Sequence, residues 1–128
     1  MRHKKKRILE LSTGVQKKQN VIRNLLTSLV ASGQMVTTIK RSKVLKATAD
    51  KFFARLVWLH AKNDEATAKR ESIRYVKSLI YTEKEGKKVI NELLPKYLAE
   101  GKTSGFVMNV KMWPRPGDAA EKVLVKLI

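Results

Sequence analysis

The stretch from Val21 to Ile39, VIRNLLTSLVASGQMVTTI, contains the two kinds of regular structure that decide the fold. Its first part places apolar residues at the i, i+4 and i+8 positions of one face, which predicts an amphipathic helix over about residues 15–31. Gly33 is the expected stop of that helix. The β-branched residues that follow predict a short strand over residues 35–39. A helix followed by a strand indicates a mixed fold.

Two more helices are predicted on either side of the break at Asn63 and Asp64. The first spans about residues 42–61, and its apolar face predicts core positions. Those positions are Leu45, Ala49, Phe52, Phe53, Leu56 and Val57. The second is mostly polar, and its narrow apolar stripe predicts shallow burial along one edge. The stripe consists of Ile73, Val76 and Ile80.

A fourth helix is predicted to begin at Thr82, because Thr82 and Glu85 match a capping box. In that motif the threonine oxygen accepts a hydrogen bond from the third helical amide. Pro95 lacks an amide proton and crowds the carbonyl of Asn91, so a kink or a helix end is expected there. The predicted buried residues of this helix are Val89, Ile90, Leu93, Leu94 and Tyr97.

The C-terminal part alternates apolar and polar residues in two runs, which predicts an antiparallel pair of strands. The apolar positions are Phe106, Met108, Val110 and Met112 in the first run and Val123, Val125 and Leu127 in the second. Turn-forming residues separate the two runs. The predicted order is therefore α-β-α-α-α-β-β, a single two-layer α+β domain over residues 15–128 that follows a basic N-terminal arm, residues 1–14.

Composition limits the chemistry of this chain. Its 128 residues suit one domain, and 43% apolar residues suffice for a core. Cysteine is absent, which excludes disulfides, thiolate metal sites and cysteine nucleophiles. The basic run Arg2 to Arg7 is not followed by the apolar segment of a secretory signal, so we expect the protein to stay in the cytoplasm.

Charge is the dominant property of the sequence. The 28 lysines and arginines against 11 acids give a formal net charge of +17, which predicts a polyanionic partner. The excess is uneven, because residues 1–46 contain twelve basic side chains and only one acid, Glu10. Ordinary solvated helix faces interleave acids with bases, so this region favours RNA contact. A basic amphipathic helix can also lie on a membrane, but here the apolar face is needed for the core.

The candidate RNA-binding residues fall into three groups. The arm would meet phosphates and release their counterions; a solvated or localisation-like tail is the alternative. The predicted helices would fix further cations and one amide, and the turn between the last two strands would present an arginine, unless it is a plain hairpin connection. The residues are Arg2, His3, Lys4, Lys5, Lys6 and Arg7 in the arm, Lys17, Lys18, Arg23, Asn24, Lys40, Arg41, Lys43 and Lys46 in the helices, and Arg115 in the turn.

Aromatic residues and histidines add little to the prediction. Most aromatics at helix or strand spacing are core, so only Trp113, beside the turn, is expected at the surface as a stacking platform. The two histidines, His3 and His60, cannot form a multi-histidine metal site. No catalytic motif with the required spacing is present, and no cofactor or small-molecule substrate is expected.

Several short strings of residues occur in order along essentially the whole chain. They are Met1, Arg2 and His3; Arg23, Asn24, Leu25, Thr27, Ser28 and Leu29; Thr37 and Thr38; Lys43, Leu45, Ala49 and Lys51; Leu93, Pro95 and Tyr97; and Arg115, Gly117, Asp118, Ala119 and Ala120. Together they resemble the bacterial large-subunit ribosomal protein L17 family. The sequence departs from the family at residues 16–19, where a Ser-His-Arg-Lys string is usual, at Met108, where arginine is common, and at Trp113 and Pro116, where glycine and arginine are common.

The resemblance implies a non-enzymatic protein of the large subunit that contacts large-subunit ribosomal RNA. It also implies neighbouring ribosomal proteins near the exit of the polypeptide tunnel as partners, and no membrane. From the residues alone, a small basic DNA-binding or nucleoid-architectural protein is the alternative, since it would share the charge. Competition between duplex DNA and structured RNA distinguishes the two.

Overall fold

The computed structural model describes residues 11, 13, 14 and 16–128. Five α-helices and three strands make up the fold of this part of the chain. They are α1 (Lys18–Ser32), β1 (Gln34–Thr38), α2 (Ile39–Lys62), α3 (Glu65–Leu79), α4 (Glu83–Lys88), α5 (Leu94–Ala99), β2 (Val107–Lys111) and β3 (Lys122–Leu127). A π-helical turn, Val89–Leu93, joins α4 to α5. Since α4, the π-helical turn and α5 follow one another without a break, they correspond to the one predicted fourth helix, and the predicted order and the α+β class are confirmed.

The strands form one antiparallel sheet in the order β1-β3-β2. The predicted pairing of the last two strands is confirmed, with Asn109 opposite Val125. On its other edge β3 pairs with β1, where Met35 lies opposite Val125. The last strand of the chain is therefore the central one, and it ties the N-terminal part of the chain to the C-terminal part.

Helices α1 and α2 cover one face of this sheet, and α3 and α4 pack on those two helices. The start of α2 is fastened to β2, because the Asn109 side chain donates to the Ser42 carbonyl at 3.3 Å. Further along α2, the Asp50 carboxylate accepts a hydrogen bond from the Phe106 amide at 3.0 Å. These two contacts orient α2 antiparallel to β2, and they set where the basic start of α2 lies relative to the sheet.

The end of α1 agrees with the sequence prediction. Gly33 adopts a positive φ of 77°, and its amide donates to the Leu29 carbonyl at 2.7 Å. A residue with a Cβ is strained in this left-handed conformation, so glycine is the favoured residue. The chain then turns at once into β1, and the apolar face of α1 packs into the core through Leu25, Leu26 and Leu29.

Pro95 does not end its helix. The Leu94 amide donates to the carbonyl of Val89, five residues earlier, which widens the turn just before the proline. A wider turn relieves the crowding that a proline ring causes in a regular helix, and single π turns are a known solution. The expected kink or helix end is therefore replaced by a π-helical turn through which the helix continues to Ala99.

Three local predictions were wrong in detail. The Thr82 hydroxyl donates to the Glu85 carboxylate and makes no hydrogen bond to a helical amide, so the capping box is not formed as expected. Val76 and Ile80 of the predicted stripe are buried, but Ile73 is 44% exposed, because α3 packs through Ala68, Ser72 and Val76. In β2 the inward residue is Val107, whereas Met108 is 41% exposed on the sheet face that no helix covers.

Tyr97 lies in the centre of the core and gives a first testable prediction. Its ring packs edge-on against Phe53 and Phe106 at 5.2 and 4.9 Å, and its buried hydroxyl has no hydrogen-bond partner among the described residues. Burial, helped by Glu100, raises the pKa of Tyr97 to about 12. Tyr97→Phe keeps the ring contacts and removes the unpaired polar group. We expect the free energy of unfolding to rise by about 1 kcal/mol, measured by urea denaturation.

Alkaline pH provides the control for this prediction. The tyrosine ionises near pH 10 when unfolded and near 12 when folded. The stability of the wild type is therefore unaffected by this ionisation below pH 10, and it falls as the pH rises from 10 toward 12. The advantage of Tyr97→Phe over the wild type should therefore widen in that window. A variant that is clearly less stable than the wild type at pH 7 would mean that the hydroxyl has a partner.

Candidate nucleic-acid interface

The first two turns of α2 carry a cluster of cations. Arg41, Lys43 and Lys46 are exposed, and none of them forms an ion pair with a described acid, while Ser42, Val44 and Leu45 between them are buried. No acidic residue lies in these turns. Alternation of buried and exposed positions explains the arrangement, because the same two turns contribute side chains to the core and present their cations outward. Lys40, also predicted, is half-buried.

The start of α1 has the same character. Lys17 and Asn24 are exposed, Lys18 and Arg23 are half-buried, and the first turn again lacks an acid. Helix N-termini carry partial positive charge, so cations are the unfavourable choice there and acids the favourable one. Of the predicted helix residues, Lys17, Lys18, Lys40 and Arg41 lie at these positively polarised helix starts, where an anionic partner is favoured. The others lie further along α1 and α2.

The cations of α3 and α4 are arranged differently. Lys69 lies 2.8 Å from Glu65 and Lys87 lies 2.9 Å from Glu83, each one helical turn apart. Acids also occupy the first turns of both helices, as the helix dipole favours. Part of the positive charge of these two helices is therefore paired with acids of the same helix. Helix α1 and the first two turns of α2 contain no acid that could do the same.

Arg115 is held inside its own loop. Its Nε donates to Asp118 Oδ1 at 2.8 Å and its Nη2 lies 2.5 Å from Asp118 Oδ2, while the Ala120 amide also donates to this carboxylate. The arginine and this amide lower the pKa of Asp118 to about 2, so the pair is ionised at neutral pH. The predicted phosphate contact by Arg115 therefore competes with Asp118. Trp113 beside it is 75% exposed, as expected for a surface platform.

Two aromatic residues that the sequence assigned to the core are at the surface. Trp58 is 50% exposed and Tyr81 is 43% exposed. Each has an arginine over its ring, Arg55 at 5.7 Å from Trp58 and Arg23 at 4.0 Å from Tyr81. Helical spacing could not reveal the second pair, because Tyr81 lies between α3 and α4 and its arginine comes from α1.

The predicted residues Arg2, His3, Lys4, Lys5, Lys6 and Arg7 lie outside the described residues. In the part of the chain that is described, no three histidine or acidic side chains form a group that could hold a metal ion. None of the helices described is both long enough and apolar enough to cross a membrane.

The fold and its surfaces define a small, strongly basic α+β protein with exposed cations and no acids at the starts of two helices. A family model described as Ribosomal protein L17 matches residues 21–128. The large ribosomal subunit protein bL17 of Carboxydothermus hydrogenoformans is 38% identical over 111 residues, 87% of this chain and 89% of that protein. The bL17 protein of Halothermothrix orenii is 32% identical over 116 residues, 91% of both chains. This chain belongs to the ribosomal protein L17 family, which confirms the resemblance.

Proposed function

We propose that this chain is a structural component of the large ribosomal subunit that binds and stabilises large-subunit ribosomal RNA and supports assembly of the subunit. The names of its relatives support the ribosomal part of the proposal. The observation that carries the RNA part is the set of exposed cations, Lys17, Arg41, Lys43 and Lys46, at the beginnings of α1 and α2.

The physical argument is one of charge compensation. A cation in the first turn of a helix costs about 0.3–1 kcal/mol relative to a favourable charge, because it faces the positive end of the helix dipole. A bound phosphate reverses the sign, since both the dipole and the cation then attract it. Lys17 and Arg41 occupy such positions, so their charges are unfavourable in the isolated protein and would be compensated on RNA.

The folded body would dock on RNA through this surface, while the arm, Arg2 to Arg7, places further cations between phosphates and lowers repulsion among RNA helices. Neighbouring large-subunit proteins near the tunnel exit are the proposed protein partners. The site of action is the cytoplasm. We propose no catalytic role, cofactor, membrane contact or small-molecule substrate.

The test is sedimentation of a cell lysate through density gradients at low and at moderate salt, with quantitative detection of this protein in each fraction. We expect one copy for each large subunit at both salt concentrations. Crosslinking of Lys43 and Lys46 to ribosomal RNA would then identify the contacted helices. Recovery only in the free or DNA-bound fractions would overturn the proposal and favour the nucleoid-architectural alternative.

A further inference from the structure

A cleft of about 710 Å³ lies between α3, the start of α4 and the outer side of α1. Its walls include Ile73 and Val76 from α3, Ile90 from the π-helical turn and Arg23 from α1. Ile73 is strongly exposed although it sits on the apolar stripe of α3. An exposed isoleucine beside half-buried and buried apolar side chains forms an apolar surface, and covering such a surface is favourable because it removes apolar atoms from water.

Tyr81 forms one wall of this cleft and is fixed from three sides. Its amide donates to the Thr27 hydroxyl at 3.2 Å, its own hydroxyl donates to Asn20 Oδ1 at 3.0 Å, and the Arg23 guanidinium lies 4.0 Å from its ring centre. The ring nevertheless remains exposed. Because the orientation of the ring is already fixed, the Tyr81 side chain loses little conformational entropy when a flat ligand stacks on it.

Arg23 is the link between this cleft and the predicted interface. Its Nε is buried and has no hydrogen-bond partner among the described residues, and no described acid pairs with its guanidinium. Planar guanidinium groups and tyrosine rings both stack on nucleobases. The Arg23 guanidinium covers one face of the Tyr81 ring, so a base would stack on the part of this pair that remains exposed.

The charges around the cleft favour an anion. Arg23, Lys77 and Lys87 line it, and the one acid in its wall, Glu83, is paired with Lys87 at 2.9 Å. Lys77 also acts on Glu83, since both lysines lower the pKa of that carboxyl. The basic arm of this chain would be repelled by these cations, and an apolar peptide would offer no anion to Arg23 and Lys77.

We propose that this cleft receives one unpaired nucleotide of the large-subunit RNA, with the base stacked against the Arg23–Tyr81 pair and over Ile73 and the phosphate near Lys77 and Lys87. The proposal rests on the proposed function. Bases within a duplex have both faces covered, so only a base in a loop, a bulge or an end can present a face to an aromatic ring. The cleft would thus recognise a bulge or loop by shape, in addition to the general attraction of the helix ends.

The experiment compares large subunits that contain the full-length wild type, Tyr81→Ala, Tyr81→Phe or Trp58→Ala. Trp58 is the matched control, because it is an equally exposed aromatic residue beside an arginine but lies outside the cleft. Chemical modification of the bases, read at each nucleotide, reports which base becomes accessible. We expect Tyr81→Ala to raise the reactivity of one or two adjacent unpaired nucleotides about tenfold, as for the loss of one base stack.

Tyr81→Phe should leave those nucleotides protected, because the ring and the arginine remain. Trp58→Ala should not change them. A benzophenone amino acid placed at position 73 should crosslink to the same nucleotides on irradiation. The proposal is overturned if subunits with normal occupancy of Tyr81→Ala show no altered nucleotide, or if position 73 crosslinks to a protein. Absence of the wild type from large subunits would instead contradict the proposed function.

Discussion

Replacing Phe53 by alanine is expected to lower the free energy of unfolding by about 3 to 5 kcal/mol. The side chain is fully buried, and its ring lies 5.1 Å from Phe52, 5.2 Å from Tyr97 and 5.7 Å from Phe106. It therefore joins α2 to α5 and to the entry of β2. Small domains have about 5 to 15 kcal/mol of stability in total, so this variant should be close to unfolded at physiological temperature. Urea denaturation of the isolated protein measures the change.

The control for this variant lies one and a half turns further along the same helix. Trp58→Ala removes a larger ring that is half exposed, and it should cost less than half as much stability. Equal losses from the two variants would show that α2 is not anchored through Phe53. A loss of less than about 1 kcal/mol from Phe53→Ala would contradict the position of the core.

Structural features that are determined by residues close in sequence could be predicted from the sequence. The apolar face of α1 and its end at Gly33 follow from helical periodicity and from the freedom of glycine at positive φ. The aromatic core of α2 follows in the same way. Pro95 shows the limit of such local rules, because the sequence indicates crowding at this position but not how the chain relieves it.

The pairing of β1 with β3 could not be predicted from the residue pattern within either strand. It joins Met35 to Val125, residues that are far apart in sequence, and alternation in one strand does not say which other strand lies beside it. The same reason explains the errors at Ile73 and Met108. Whether an apolar stripe is buried depends on which face the helices cover, and that is a property of the whole fold.

The candidate site also has parts that the sequence predicts and parts that depend on the whole fold. Counting charges was enough to find the cations of α1 and α2, because the absence of acids in that region is visible in the sequence. The Arg23–Tyr81 pair was not visible, since it forms only when α1 and the segment before α4 meet. Asp118 lies three residues after Arg115, yet no rule of spacing required the two to pair in the turn.

The basic arm gives the largest expected effect on RNA binding. Lys4, Lys5, Lys6 and Arg7 contribute four of the formal charges of residues 1–46. Each cation on a phosphate contributes about 0.9 to the slope of log affinity against log salt for duplex DNA, and we take the same order for structured RNA. Replacing all four by glutamine should lower the slope by about 3 to 4. Filter binding to large-subunit RNA between about 50 and 200 mM salt measures it, and the wild type should lose roughly two decades more affinity than the variant over this range.

The matched control removes the same charge from a surface that is not proposed to bind. Its four substitutions to glutamine are at Lys62, Lys69, Arg70 and Arg74. Lys69 and Arg74 already lie near Glu65 and Glu71, so few condensed counterions should be displaced from RNA by this surface. The control should keep nearly the wild-type slope, and thermal unfolding of the arm variant should stay close to that of the wild type. Equal slopes for the two variants would mean that net charge alone drives binding and that the arm makes no contacts of its own, whereas loss of folding in the arm variant would make the arm part of the domain.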